Sequence, residues 1–149
     1  EVTQQDSERT AMAMISGITT NLKQRAWWAN ALLLFCLYMT IVYLPFDLFF
    51  KPVAQDQEVW FGVMLTGWSA KLGGLAHWLI YALGAYGLLH QRTWLRPWIS
   101  LYVLQVALSM LLWAMLDNRG SGLVAGLIAA APFIGLAALL HFKPNHYLN

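Results

Sequence analysis

Four stretches of this sequence are long and apolar enough to cross a lipid bilayer, and no other feature narrows the possible folds so far. A helical span needs about 20 mostly apolar residues, because ~30 Å of hydrocarbon is crossed at ~1.5 Å per residue. Residues 26–46 qualify with no charge inside, and residues 72–89 with only His77. Residues 97–116 follow, opened by Pro97, and residues 122–142 carry Pro132, which is expected to kink that helix. Composition agrees: 59% of the 149 residues are apolar and 11% are charged, whereas a soluble domain carries about 25% charged residues. That excludes an ordinary soluble globular domain, and the apolar content excludes a disordered chain. A net charge of +2 gives no footprint for nucleic acid. The lone cysteine, Cys36, excludes an internal disulfide and a Cys-built zinc site. The chain opens on Glu1 rather than Met, and no cleavable leader is predicted.

The charges set the orientation. Arg9, Lys23, Arg25, Arg92, Arg96 and Lys143 fall on the side holding both ends and the turn between spans two and three. Lys51, Lys71 and Arg119 fall on the other side. Six against three predicts cytoplasmic termini and residence in the plasma, or inner, membrane. Trp27, Trp28, Trp94 and Trp98 then mark the inner interface, and Trp60, Trp68 and Trp113 the outer one. Residues 8–25 place Ala11, Ile15, Ile18 and Leu22 on one stripe, as in an amphipathic helix lying on the inner leaflet or docking on a partner. Residues 47–71 form an outer loop, bracketed early by Pro45 and Pro52, with Pro45 expected to end the first helix. Within that loop, VWFGVMLTGWS (residues 59–69) is apolar all round but too short to span, which suits a re-entrant or interfacial piece. The expected architecture is therefore an all-α, four-helix membrane bundle, one domain over residues 1–149.

Each span presents a face of small or polar residues, the kind through which helices associate in lipid. The first aligns Cys36, Thr40, Tyr43 and Asp47, and the second Gly73, His77, Gly84 and Gly87. The third aligns Tyr102, Gln105, Ser109 and Trp113, and the fourth Gly122, Gly126 and Ala130. Tyr43, Asp47, His77, Ser109, Trp113 and Asp117 all fall in the outer half, bordered by Lys71 and Arg119. An ionisable side chain inside a membrane is costly and marks a site by default. His77 is thus either a hydrogen-bonding strut to Ser109, Asp47 or Asp117, or part of a polar pocket for a small ligand, a quinone, a lipid headgroup or a proton path. In YLPFDLFFKP (residues 43–52), a carboxylate among phenylalanines must be paired or protonated, with Lys51, Lys71 or Arg119 as partner.

Several chemistries find little footing. His77 has no histidine partner at its own depth for a haem. His90 and His141 fall at the inner boundary, where they could meet as a ligand pair at the ends of spans two and four, though interfacial snorkelling explains them more simply. A metal on His77, Asp47 and Asp117 is chemically allowed but has no ligand-spacing motif behind it. Over five residues, Gly73-x-x-x-His77 resembles the small-xxx-His arrangement that light-harvesting polypeptides set around bacteriochlorophyll; the resemblance implies space for a flat ring beside the imidazole. No GxSxG is present, and DNRGSG (residues 117–122) reads as a tight turn. The residues name no cofactor. The expected role is a non-catalytic accessory or assembly subunit of a larger membrane complex, meeting lipid and either other subunits or copies of itself. A ligand-binding transporter or membrane enzyme with an outer-half pocket is the alternative, and a pigment- or haem-binding subunit the second alternative.

Overall fold

The structure is a computed structural model and describes residues 2–148. It is 79% helical, in the order α1 (Val2–Gln24), α2 (Trp27–Tyr38), a π-helical turn (Met39–Tyr43), α3 (Leu44–Phe49), a 3₁₀ turn (Val53–Gln55), β1 (Gln57–Trp60), β2 (Val63–Thr66), α4 (Trp68–Leu89), α5 (Leu95–Leu116), α6 (Gly122–Phe142) and a final 3₁₀ turn (Pro144–His146). Four helical stretches are long and apolar enough to cross a membrane: Trp27–Phe49, α4, α5 and α6. Only 22–33% of the most apolar 18 residues of each is buried within the chain. Their remaining apolar faces, such as Leu34, Leu79, Leu101 and Ile128, therefore point outward and require hydrocarbon rather than water.

Pro45 does not end the first span, as the sequence suggested; it falls in the first turn of α3 and the helix runs on to Phe49. A proline has no N–H and its ring crowds the carbonyl four residues back. The preceding π turn absorbs the mismatch, with the Leu44 N–H reaching back five residues to the Met39 carbonyl. The carbonyl of Thr40 inside this turn accepts a hydrogen bond from Trp78 Nε1 of α4 at 2.8 Å. The irregular turn thus becomes a cross-link between the first two spans. Pro132 leaves α6 unbroken from Gly122 to Phe142, as membrane helices allow when neighbours cover the freed carbonyl.

The helices associate mainly in pairs. α5 packs most intimately on α6, where a Cβ on Gly126 would meet Ala114 Cβ at 2.9 Å. α2 packs on α4, with Gly84 facing Cys36. α4 and α5 approach each other sparingly, so the pairs splay apart and leave space between them. At the end holding the turn between α4 and α5, a core of Leu33, Leu88, Leu95, Ile99 and Leu140 joins the pairs. The C-terminal segment completes it. Tyr147 is buried and donates its hydroxyl to the Leu140 carbonyl at 2.6 Å, and the Ala26 N–H donates to the His146 carbonyl. Arg25 is also buried there and donates Nη2 to Leu88 O at 2.6 Å, a cation placed on the negative end of α4. Burial lowers its pKa. α1 is exposed along most of its length, with Ile18, Asn21 and Leu22 half-buried.

α4 closes with two reverse hydrogen bonds, Arg92 N–H to Gly87 O at 2.9 Å and Gln91 N–H to Leu88 O at 3.4 Å. That is a Schellman closure, which places Gln91 in the left-handed region at φ +51°. A non-glycine residue there costs roughly 1–2 kcal/mol, part of which glycine returns through its freer unfolded state. Gln91→Gly is expected to raise stability by about 0.5–1 kcal/mol, read as a higher thermal unfolding midpoint in detergent. A lower midpoint would mean that the Gln91 side chain contributes more than the strain removes.

Candidate functional site

The 47–71 loop holds an antiparallel hairpin that folds back into the bundle. β1 and β2 pair in register from Gln57↔Thr66 to Trp60↔Val63. The two-residue connection, Phe61-Gly62, has φ +49° and +78°, the positive pair that suits the strand twist of a tight hairpin. The tip presses on α5: Phe61 N–H donates to Ser109 Oγ at 2.8 Å, and a Cβ on Gly62 would stand 2.5 Å from Leu112 Cβ. Ser109 lies seven residues from the end of α5, which places the tip roughly 10 Å below that helix end.

Alternation along β1 puts Glu58 and Trp60 on one face of the strand, and both meet His77 of α4. His77 Nδ1 lies 2.7 Å from Glu58 Oε1. The Trp60 indole stacks on the imidazole with ring centroids 4.1 Å apart and planes 14° apart. Gly73, one turn above His77, makes the room, since a Cβ there would meet Trp60 Nε1 at 2.7 Å. The flat ring that the Gly73-x-x-x-His77 spacing admits is therefore this protein's own indole.

Beside this pair lies a cavity of about 460 Å3, walled by Tyr43 of the π turn, Glu58, and His77 and Tyr81 of α4. Tyr102, Gln105, Ser109 and Trp113 of α5 complete it. Tyr81 and Tyr102 meet edge to face at 5.7 Å. Gln105 Nε2 donates to Ser109 Oγ at 2.8 Å. With Phe61 N–H already on that oxygen, both acceptor positions of the hydroxyl are taken and its O–H remains to donate. Gln105 Oε1 is buried without a hydrogen-bond partner. The wall thus offers a donor, an acceptor and an imidazole–carboxylate pair, with aromatic rings around them. It is equipped to hydrogen-bond a guest and to pass a proton between Glu58 and His77.

The structure brings Tyr43, His77, Ser109 and Trp113 together around this cavity. Asp47 and Lys71 go elsewhere. Lys51 Nζ lies 3.1 Å from Asp47 Oδ1 and 3.0 Å from Asp56 Oδ1, and Lys71 Nζ lies 3.0 Å from Asp56 Oδ2 while also donating to the Asp47 carbonyl. This network fastens α3 and the 3₁₀ turn to α4. Burial pushes the Asp56 carboxyl up, but hydrogen bonds and charge from Lys51 and Lys71 outweigh it, so its pKa falls below the ordinary value. Asp117 and Arg119 pair with each other at 3.0 Å on the exposed α5–α6 turn. The Arg119 guanidinium lowers the Asp117 pKa, and Asp117 raises that of Arg119. His90 and His141 are exposed, against Tyr86 and Phe142 of their own helices. Among the described residues, no three His, Cys, Asp or Glu side chains converge as metal ligands.

Glu58, Trp60 and Tyr81 were not among the residues the sequence singled out for the pocket. The usable signal was the carboxylate two residues before Trp60, next to an apolar segment with a central glycine. Hydropathy registers only the apolar part.

The fold and its outward apolar faces define a multi-pass membrane protein. No protein-family model, curated protein or solved structure matches the chain.

Proposed function

We propose that this chain is a ligand-binding protein of the inner membrane, with cytoplasmic termini and its cavity in the outer half of the bundle. The observation that carries the reading is the cavity walled by the Glu58–His77 pair. Two ionisable side chains at membrane depth are costly to retain, and here, beside the stacked Trp60, both also border open space. The excess of Lys and Arg at the terminal end supports the orientation. The test is extraction of the purified protein with solvent, followed by mass spectrometry of what it carries. Wild type is expected to yield a compound in near-equal molar amount. Glu58→Gln and His77→Ala are expected to lose about half of it, the effect of a tenfold weaker affinity (~1.4 kcal/mol, one lost charged hydrogen bond) on a site about nine-tenths filled, while remaining monodisperse. Undiminished recovery from both folded variants rejects the reading.

The exposed course of α1 favours a second reading, an accessory or assembly subunit of a larger complex. From Gln4 to Gln24 only Ile18, Asn21 and Leu22 of α1 are half-buried, which leaves most of that surface exposed to lipid or to another subunit. Gentle purification from native membranes should then bring other polypeptides along, and removal of α1 should release them.

A further inference from the structure

A second space adjoins the cavity. A groove of about 1140 Å3 runs between the α2–α4 pair and the α5–α6 pair, and its lining extends from Trp94, just before α5, to Met110 on that helix. At 1.5 Å per residue that is roughly 24 Å, most of the ~30 Å hydrocarbon thickness. Its walls are apolar, with Leu32, Phe35, Leu83, Ile99 and Phe133 among them. Tyr81, Tyr102, Gln105, Val106 and Met110 border both spaces, so the polar cavity caps one end of the groove. The groove is apolar along its length and opens onto the polar cavity at one end, a shape that suits one hydrocarbon chain bearing a polar head.

The cavity selects the head. No lysine or arginine lines it, and the nearest lysines are held by Asp47 and Asp56. A phosphate would face the Glu58 carboxylate without a cation to offset it. What the walls offer is flat aromatic surface, the Ser109 O–H as a donor and the unpartnered Gln105 Oε1 as an acceptor, which suit an uncharged planar head whose carbonyl accepts from Ser109 and whose hydroxyl, in the reduced form, donates to Gln105. On the binding reading above, we propose that cavity and groove form one site for an isoprenoid-quinone-class amphiphile, its ring beside Glu58 and His77 and its chain in the groove.

The test uses the full chain in nanodiscs of phosphatidylcholine, with decylubiquinone as probe and tryptophan quenching as readout. Hydrocarbon is as well accommodated in lipid as in a protein groove, so affinities are compared at equal mole fraction in the bilayer. Decylubiquinone is expected to quench saturably. Gly84→Leu fills the groove away from the cavity; its Cβ would meet Cys36 Sγ at an ordinary 3.6 Å. This variant is expected to weaken decylubiquinone about fivefold, the order of a modest packing loss, and to leave the chainless ring 2,3-dimethoxy-5-methylbenzoquinone unchanged. Val106→Phe, at the junction, provides a second blocking variant should Gly84→Leu fail to fold. Glu58→Gln is expected to weaken both probes. If both groove variants bind decylubiquinone as wild type does, the groove assignment falls while the cavity reading stands. Displacement of the quinone by an equal mole fraction of lysophosphatidylcholine overturns the head assignment. If Glu58→Gln changes neither probe, the cavity reading itself falls.

Discussion

Replacing Gly62 by valine is expected to drive the hairpin out of the bundle and dismantle the cavity. Two costs add at this position. Its φ of +78° is open to glycine but strained for a β-branched residue, at roughly 1–2 kcal/mol. Its Cβ would also stand 2.5 Å from Leu112 Cβ and 3.0 Å from the Trp113 backbone nitrogen, and such overpacking costs about 1–3 kcal/mol. The backbone of α5 cannot yield as a flexible side chain would, so the hairpin must move. Phe61 N–H then leaves Ser109, and Glu58 and Trp60 leave His77. The outcome to measure is proteolysis or hydrogen exchange of residues 57–66, which should rise sharply while the helical signal persists. Ligand recovery should fall with it. Gly122 separates the two costs: it has φ +84° with nothing within 4 Å of a Cβ, so Gly122→Ala carries the strain alone and leaves the hairpin docked. Unchanged protection of the hairpin in Gly62→Val would show that its tip does not bear on α5.

The same hairpin marks where the sequence stopped being legible. The spans could be read because lipid imposes one requirement on every residue of a helix about 20 long. The bounds of all four spans followed to within a few residues, and Pro45, expected to end the first, lies inside it, the helix running on to Phe49. A proline inside a membrane helix is tolerated where the crowded turn widens or its freed carbonyl is covered; here the π turn at Met39–Tyr43 precedes Pro45, and its Thr40 carbonyl accepts from Trp78, a contact no local pattern announces. The α5 stripe of Tyr102, Gln105, Ser109 and Trp113 follows directly from helical spacing, and it lines the cavity. Glu58 could not be placed this way. Strands of four residues carry too little periodicity to register, and a carboxylate near an apolar run reads as a loop charge until a hairpin returns it to His77. Asp47 and Asp117 show the opposite bias. Each resembles a buried functional acid in sequence, yet each has a close basic neighbour, Lys51 for one and Arg119 for the other, and short-range pairing prevails over convergence across the bundle.

The second large effect is expected at Asp56, which lies 2% exposed between Lys51 and Lys71. Asp56→Ala removes the one carboxylate the two ammonium groups share. Lys71, itself buried, is left with the Asp47 carbonyl and no counter-charge, and stranding a buried ion in this way costs about 3–5 kcal/mol. Lys51→Ala should cost under about 1 kcal/mol, because that side chain is a third exposed and its pairs are screened. pH reports the same network. The folded-state pKa of Asp56 lies below its ordinary 3.8, so its contribution is complete above that value and is lost as pH falls through the lower, folded one. The Lys51 ammonium is shifted the other way: its hydrogen bond to Asp56 outweighs desolvation and raises it above 10.5, so its contribution is complete below that value and is lost as pH rises through the higher one. Thermal stability in detergent should therefore be level in between and fall below about pH 4. In Asp56→Ala the level region should lie lower and the acid limb should shrink. An acid limb of undiminished depth in that variant would assign the transition to other carboxylates. The hairpin is anchored at its tip by Gly62 and at its base by Asp56, so loss of either anchor should expose Glu58 by a different route. Gly62→Val should do so at every pH, and protonation of Asp56 only in acid.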